Sequence, residues 1–160
     1  IMASIARGFG MRVAYHNRTR LSESKEKEFG VSYAQRNELL AQSDFVSITA
    51  ANLPANRGMI DLDTFKLMKR SAFLINTSRG KLVNEDDLHT AITTGLIAGA
   101  GLDVHWEEPR VLGDKLLSLP NIIMTPHYAG GSRFGVLEEL KVIFHNCRQV
   151  IAGQLPDHKV

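Results

Sequence analysis

Short runs of β-branched and aromatic residues alternate along this chain with stretches whose apolar residues recur every three or four positions. That order is the one a parallel sheet with crossover helices requires. Residues 11–16 read as a strand that ends in polar residues, and the helical stretch 36–41 leads into a strand over 44–49 and a polar loop through Pro54 to Gly58. Residues 61–68 have helical spacing, and the nearly unbroken apolar run 72–76 predicts a strand buried on both faces. The acidic start after Asn84 predicts a helix over 84–92, capped by Asn84 and stopped by Gly95. Residues 97–104 form a strand whose glycines admit close packing, residues 121–125 another, and residues 132–152 the longest helix. Residues 1–10 read as a helix with no cap in front and a glycine-rich stop behind, so we expect sequence upstream of it.

Composition narrows the functional classes. The 160 residues are 44% hydrophobic and 22% charged, enough for one core. Nineteen Lys and Arg against 17 Asp and Glu leave a net charge of +2, and these charges are scattered, which argues against a nucleic-acid partner. One cysteine, Cys147, makes no internal disulfide, and no Cys/His cluster has metal-ligand spacing. A reducing compartment follows, and Cys147, among Val142, Ile143, Val150 and Ile151, is expected to be buried. The apolar stretches are strand-sized and no leader is visible, so no membrane association and a cytoplasmic location are expected.

Chemistry-bearing residues gather where predicted strands end, the edge at which open parallel sheets bind ligands. Asn17 and Arg18 follow the first strand, Thr77-Ser78-Arg79-Gly80 the run ending at Asn76, Asp103 to Pro109 the glycine-bearing strand, and Thr125-Pro126-His127 the last. Four loops therefore collect at one rim. Arg79 has a planar fork that grips a carboxylate at two points, and Gly80 lets the backbone come close. His127 follows a proline and titrates near neutrality, and Glu108 is placed to orient it and favour its protonated form. His16 and His105 lie near the rim, His89 and His145 on helix surfaces, and Trp106 either closes the cleft or packs its loop.

The sequence Asn76-Thr77-Ser78-Arg79-Gly80, then Gly101-Leu102-Asp103-Val104 leading to Glu107-Glu108-Pro109, then Thr125-Pro126-His127 with Ala129-Gly130-Gly131, resembles the D-isomer-specific 2-hydroxyacid dehydrogenases. The likeness runs the whole length, through Arg57-Gly58-Met59-Ile60 to Gly153-Gln154-Leu155-Pro156. It implies an α/β, Rossmann-like doubly wound parallel sheet, with Arg79 binding substrate, Glu108 pairing with the histidine, His127 donating the proton and Asp103 contacting nicotinamide. It also implies Thr49, Ala50, Ala51, Thr77, Ser78, Arg79, His127, Ala129 and Gly130 at the cofactor. Related chains often have proline at the Ala51 position. The family's first strand and G-x-G-x-x-G phosphate loop are expected before Ile1, since Gly8-Phe9-Gly10 follows a helix and precedes a strand. Residues 1–130 then read as an incomplete NAD(P)-binding domain, and 131–160 as a helix and tail returning to a substrate domain.

Cofactor choice rests on Tyr15-His16-Asn17-Arg18-Thr19-Arg20. An acid here holds an adenine-ribose 2′-hydroxyl, whereas a 2′-phosphate needs a neutral residue and arginine. No acid appears before Glu23, so Asn17, Arg18 and Thr19 are read as favouring NADP(H) over NAD(H). The reading is an NADP-preferring reductase of small 2-oxo acids, like glyoxylate and hydroxypyruvate reductases, with this stretch alone inactive. A homodimer is expected through the apolar residues of the long helix and of the helix after Asn84. The alternatives are a dinucleotide-sensing, non-enzymatic corepressor and an inactive truncated product.

Overall fold

All strand pairing in the computed structural model, which describes residues 1–111, 113–130 and 133–157, is parallel. Helix α1 (Met2–Gly8) precedes a two-stranded sheet of β1 (Ala14–Tyr15) and β2 (Ser32–Tyr33), joined by α2 (Glu23–Phe29). After α3 (Arg36–Gln42) comes a four-stranded sheet in the order β3 (Phe45–Ile48), β4 (Phe73–Asn76), β5 (Gly99–Leu102), β6 (Ile122–Met124). The crossovers carry α4 (Leu62–Leu67) and α5 (Glu85–Thr93), and α6 (Arg133–Ile151) follows the last strand. This is the Rossmann-like α/β architecture expected from the alternation of patterns.

Local chemistry fixes the helix boundaries. Ser22 caps α2 by accepting from the Lys25 amide, and Gly30 closes it at φ 62°, a left-handed turn that glycine adopts without a Cβ penalty. Asp61 caps α4 through the Thr64 amide at 2.9 Å. Asn84 accepts from the amides of Asp86 and Asp87, and three acids in the first turn of α5 favour its positive end. The second oxygen of Asp87 accepts from the Leu62 amide at 3.0 Å, tying the two helix starts together.

The core lies between the four-stranded sheet and α4 and α5, where Phe65, Leu74, Leu82 and Leu88 are fully buried. Alternation along β3 sends Val46 and Ile48 inward and Phe45 outward, where it stacks on Phe73 at 5.7 Å. The run 72–76 is therefore not buried on both faces as expected: Phe73 is 38% exposed, because no described element covers that side of the strand. The close approach expected of the β5 glycines is present, since a Cβ on Gly99 would fall 2.3 Å from the Asn121 carbonyl oxygen.

Three other expectations are corrected. The strand over 11–16 pairs only at Ala14 and Tyr15, the residues with a parallel neighbour. The apolar residues of α5 are not a dimer surface, because Leu88, Ala91 and Ile92 pack into the chain's own core. Cys147 is exposed, as are Leu140, Ile143, Phe144 and Ile151 along the same helix, so the apolar residues of α6 are left largely uncovered. The predicted start of that helix at residue 132, and Gly131, lie outside the described residues. No helix among the described residues is long and apolar enough to cross a membrane.

Candidate active site

A cleft of about 340 Å³ opens at the carboxyl ends of β3 to β6. The loop after β4 gives it Arg79, Gly80 and Lys81, the loop after β5 gives His105, Trp106 and Glu108, and the loop after β6 gives His127. Asn52 and Arg57 complete it from the loop after β3.

Arg79 is held from below by a buried amide. Asn76, at the end of β4 and 1% exposed, donates from Nδ2 to the Arg79 carbonyl at 3.0 Å and accepts the Ser78 amide at 3.1 Å. The Ser78 hydroxyl donates to the Ile48 carbonyl at 2.6 Å, fastening this loop to β3. The guanidinium itself is bound only by the neighbouring Ser78 carbonyl, and no carboxylate pairs with it among the described residues. It is a preorganised cation without an anion. Gly80 makes this position possible, because a Cβ there would sit 2.0 Å from the His105 carbonyl carbon and oxygen. We expect Gly80→Ala to destabilise the fold by about 1–3 kcal/mol through a backbone clash, measurable as a lowered urea midpoint by circular dichroism.

Glu108 joins two loops. One oxygen accepts the His105 amide at 2.9 Å and the other accepts from Nδ1 of His127 at 2.7 Å. The His127 contact first, and the His105 amide second, hold the Glu108 carboxyl below its usual range despite some burial. A carboxylate on Nδ1 fixes the proton there, which leaves Nε2 as the nitrogen available to a ligand.

His127 has φ of 60°, a strained backbone for a non-glycine residue, so something must enforce it. Asp103 does so. Its carboxylate, 5% exposed, accepts from the Thr125 hydroxyl at 2.5 Å, the Tyr128 amide at 2.8 Å and the Ala129 amide at 2.8 Å. Burial alone would raise the Asp103 carboxyl, but these donors and the nearby His127 outweigh it and hold it below the ordinary value. Three of its acceptor positions are thereby engaged within the chain.

A second brace lies behind the β5 loop. Glu85 on α5 accepts the Trp106 amide at 3.2 Å and pairs with Arg110, which also pairs with Asp114. His105 is buried and its Nε2 donates to the Thr125 carbonyl at 2.9 Å, so it joins the β5 and β6 loops. Neither the brace nor this link is marked by any spacing, because their members lie on separate elements.

The structure thus places Arg79, Glu108 and His127 in one cleft. Trp106 lines it while remaining 39% exposed. Asn17, Arg18 and Thr19 follow β1 and do not line this cleft, and neither do Thr49, Ala50, Ala51, Thr77, Ser78, Ala129 or Gly130. Of the four loops expected at one rim, three meet here, with the β3 loop as the fourth contributor. Asn52 and Lys81 were missed by sequence reasoning and Arg57 was read only as part of a matching stretch. A basic residue two positions after Arg79 was the signal available for Lys81. Of the helix histidines, His89 is half-buried and His145 is exposed, with Nε2 3.0 Å from Asp157.

The D-isomer specific 2-hydroxyacid dehydrogenase, NAD binding domain, matches residues 1–129. The chain belongs to this family. It is 40% identical over 159 residues to glyoxylate reductase of Korarchaeum cryptofilum, covering 99% of this chain and 48% of that protein. Among solved structures it resembles a glyoxylate reductase from Paecilomyes thermophila with a TM-score of 0.87 and 36% identity, covering 96% of this chain and 46% of that one. It also resembles D-lactate dehydrogenase with NAD+ from Lactobacillus jensenii, with a TM-score of 0.88 and 27% identity over 99% of this chain and 51% of that one. The chain spans about half the length of the curated relatives it matches. Membership in the D-2-hydroxyacid dehydrogenases makes a nicotinamide dinucleotide the cofactor against which the site's residues are to be tested.

Proposed function

We propose that this chain is part of an NADP-preferring oxidoreductase that interconverts small 2-oxo acids and D-2-hydroxy acids, like the glyoxylate reductases it resembles. The observation that carries the proposal is the 2.7 Å Glu108–His127 pair sharing one cleft with Arg79, whose guanidinium meets no carboxylate among the described residues. Acid–base group and carboxylate anchor are the two elements that reduction of a 2-oxo acid requires of the protein.

The residues fit a dinucleotide by the chemistry of their donors. In the loop after β1, Arg18 has an exposed guanidinium with no partner among the described residues, and the Asn17 side chain accepts the Arg18 amide at 3.1 Å. With no acid in that loop, Asn17, Arg18 and Thr19 suit a 2′-phosphate better than a 2′-hydroxyl. Thr49, Ala50, Ala51, Thr77, Ser78, Asp103, Ala129 and Gly130 would hold the nicotinamide end. Bound there, the reduced dinucleotide supplies the hydride.

The remaining work falls to the chain. Arg79 binds the substrate carboxylate and lies beside the carbonyl oxygen, where its charge counters the developing alkoxide more strongly than the neutral carbonyl. His127 delivers a proton to that oxygen from Nε2. Glu108 holds the ring through Nδ1, and Asp103 keeps the histidine loop in its strained shape. A homodimer belongs to the same proposal, and α6 is the helix that keeps an exposed apolar face for it.

The test is turnover of glyoxylate and hydroxypyruvate by the full-length protein, with NADPH giving the lower KM than NADH. The 160-residue stretch alone is expected to be inactive. Oligomerisation driven by the dinucleotide, without turnover, would support the corepressor reading instead. Glu108→Gln is expected to lower kcat for reduction about 10–100-fold, because an amide no longer fixes the Nδ1 proton and with it the orientation of the His127 ring. A kcat equal to the parent's would remove Glu108 from this role.

A further inference from the structure

The two arginines of the loop after β1 are alike in sequence and unlike in the fold. Arg20 is engaged. Its Nε donates to one oxygen of Glu26 at 2.8 Å and a terminal nitrogen to the other at 3.0 Å, a two-point ion pair. Its guanidinium lies 5.3 Å from the centre of the Tyr33 ring. The Tyr15 hydroxyl donates to Glu26 at 2.8 Å and accepts the Leu21 amide at 2.8 Å. Tyr15 and Tyr33 meet edge to face at 5.5 Å. One cluster therefore links β1, β2, the middle of α2 and the far end of the loop. The Glu26 side chain is 12% exposed, and Arg20 first and Tyr15 second pull its carboxyl down to about 2.

Residues 17–19 are pinned at both ends by this cluster, at Tyr15 before them and at Arg20 and Leu21 after them. Arg18 lies between, exposed, and its side chain has no hydrogen bond or ion pair among the described residues. Arg20 keeps three N–H donors beyond its two contacts to Glu26, but its charge is already countered by that carboxylate, so a phosphate gains less there than at a guanidinium with no carboxylate beside it. At Arg18 it gains the whole contact.

We propose that Arg20, Glu26 and Tyr15 form a buttress that sets the shape of the 17–19 loop for dinucleotide binding without touching the 2′-phosphate, which Arg18 alone receives. The proposal rests on the reading of this loop as the adenine-ribose site. It assigns Arg20 and Glu26 as positioning residues and makes Arg18 the residue that discriminates NADPH from NADH.

The test measures calorimetric affinities of the full-length protein for adenosine 2′,5′-bisphosphate and for 5′-AMP, alongside KM for NADPH and NADH. Arg18→Gln is expected to weaken bisphosphate binding about 10–100-fold and leave 5′-AMP unchanged, the range of one charged hydrogen-bonding contact. Arg20→Gln and Glu26→Gln are expected to weaken both probes by the same factor, on the order of three- to tenfold, with the ratio of the two KM values preserved. Arg20→Lys, which keeps the charge and at most one of the two contacts, should lie between parent and Gln variant, and it keeps the test available if Arg20→Gln does not fold. A selective loss of bisphosphate binding in Arg20→Gln would make Arg20 a phosphate ligand and overturn the division. Selective tightening in Glu26→Gln, or no change in either probe, would also overturn it. If the parent protein binds 5′-AMP as well as the bisphosphate, the NADP reading and the role of Arg18 fail. The paired losses in Arg20→Gln and Glu26→Gln then still decide the buttress.

Discussion

Replacing His127 with asparagine is expected to lower kcat for 2-oxo acid reduction about 10²–10⁴-fold, the range a positioned general acid contributes. KM should stay within a few fold, because the interaction removed belongs to the transition state. The size follows from how completely the imidazole is fixed. Nδ1 is held by Glu108 at 2.7 Å, and the φ of 60° is held by the Asp103 clamp on Thr125, Tyr128 and Ala129. Asparagine tolerates the left-handed backbone better than most residues, so the variant removes the proton without refolding the loop. Steady-state kinetics at the parent's optimum pH checks this. A rise in KM at unchanged kcat would mean that His127 binds substrate but moves no proton.

Arg79→Gln is expected to reduce kcat/KM about 10²–10³-fold, through both KM and kcat, because the guanidinium binds the substrate carboxylate and also counters the developing alkoxide. Arg79→Lys should recover little of it, because an ammonium cannot reproduce the two parallel contacts of the planar fork. The loop itself should survive both changes. Asn76 binds the Arg79 backbone rather than the side chain, and Ser78 is tied to Ile48, so neither contact depends on the guanidinium. Unchanged melting temperature together with the lost kcat/KM would separate substrate binding from structure. Full activity in Arg79→Lys would mean that only a point charge is required. Arg57 and Lys81 also line the cleft, and a small effect of Arg79→Gln would point to them as the anchors instead.

Much of this was legible in the chain. The apolar run at β4, the capping asparagine and acids at α5 and the glycines of β5 each specify their own element through local chemistry, so the α/β order could be read directly. Arg79, Glu108 and His127 were found because each follows a predicted strand, and a parallel sheet brings such ends to one edge. What local pattern could not show was coverage. The side of β4 bearing Phe73, the Cys147 face of α6 and the apolar face of α5 look equally buried as sequence, yet only the last packs into the core.

Pairings between distant residues depended on the tertiary structure as well. Arg18 and Arg20 are the same residue type two positions apart, and nothing between residues 15 and 21 tells them apart. The difference comes from Glu26, whose carboxylate α2 brings within 2.8 Å of Arg20, while the Arg18 side chain has no partner among the described residues. Asp103 holds the histidine loop across 22 to 26 positions of chain for the same reason. The sequence by itself determined which elements form, and which chemical groups stand at strand ends, because helix caps, strand runs and turns are short-range properties. The fold alone decided which groups are paired and which are left free for a ligand, because hydrogen-bond and ion-pair partners are set by distance in space.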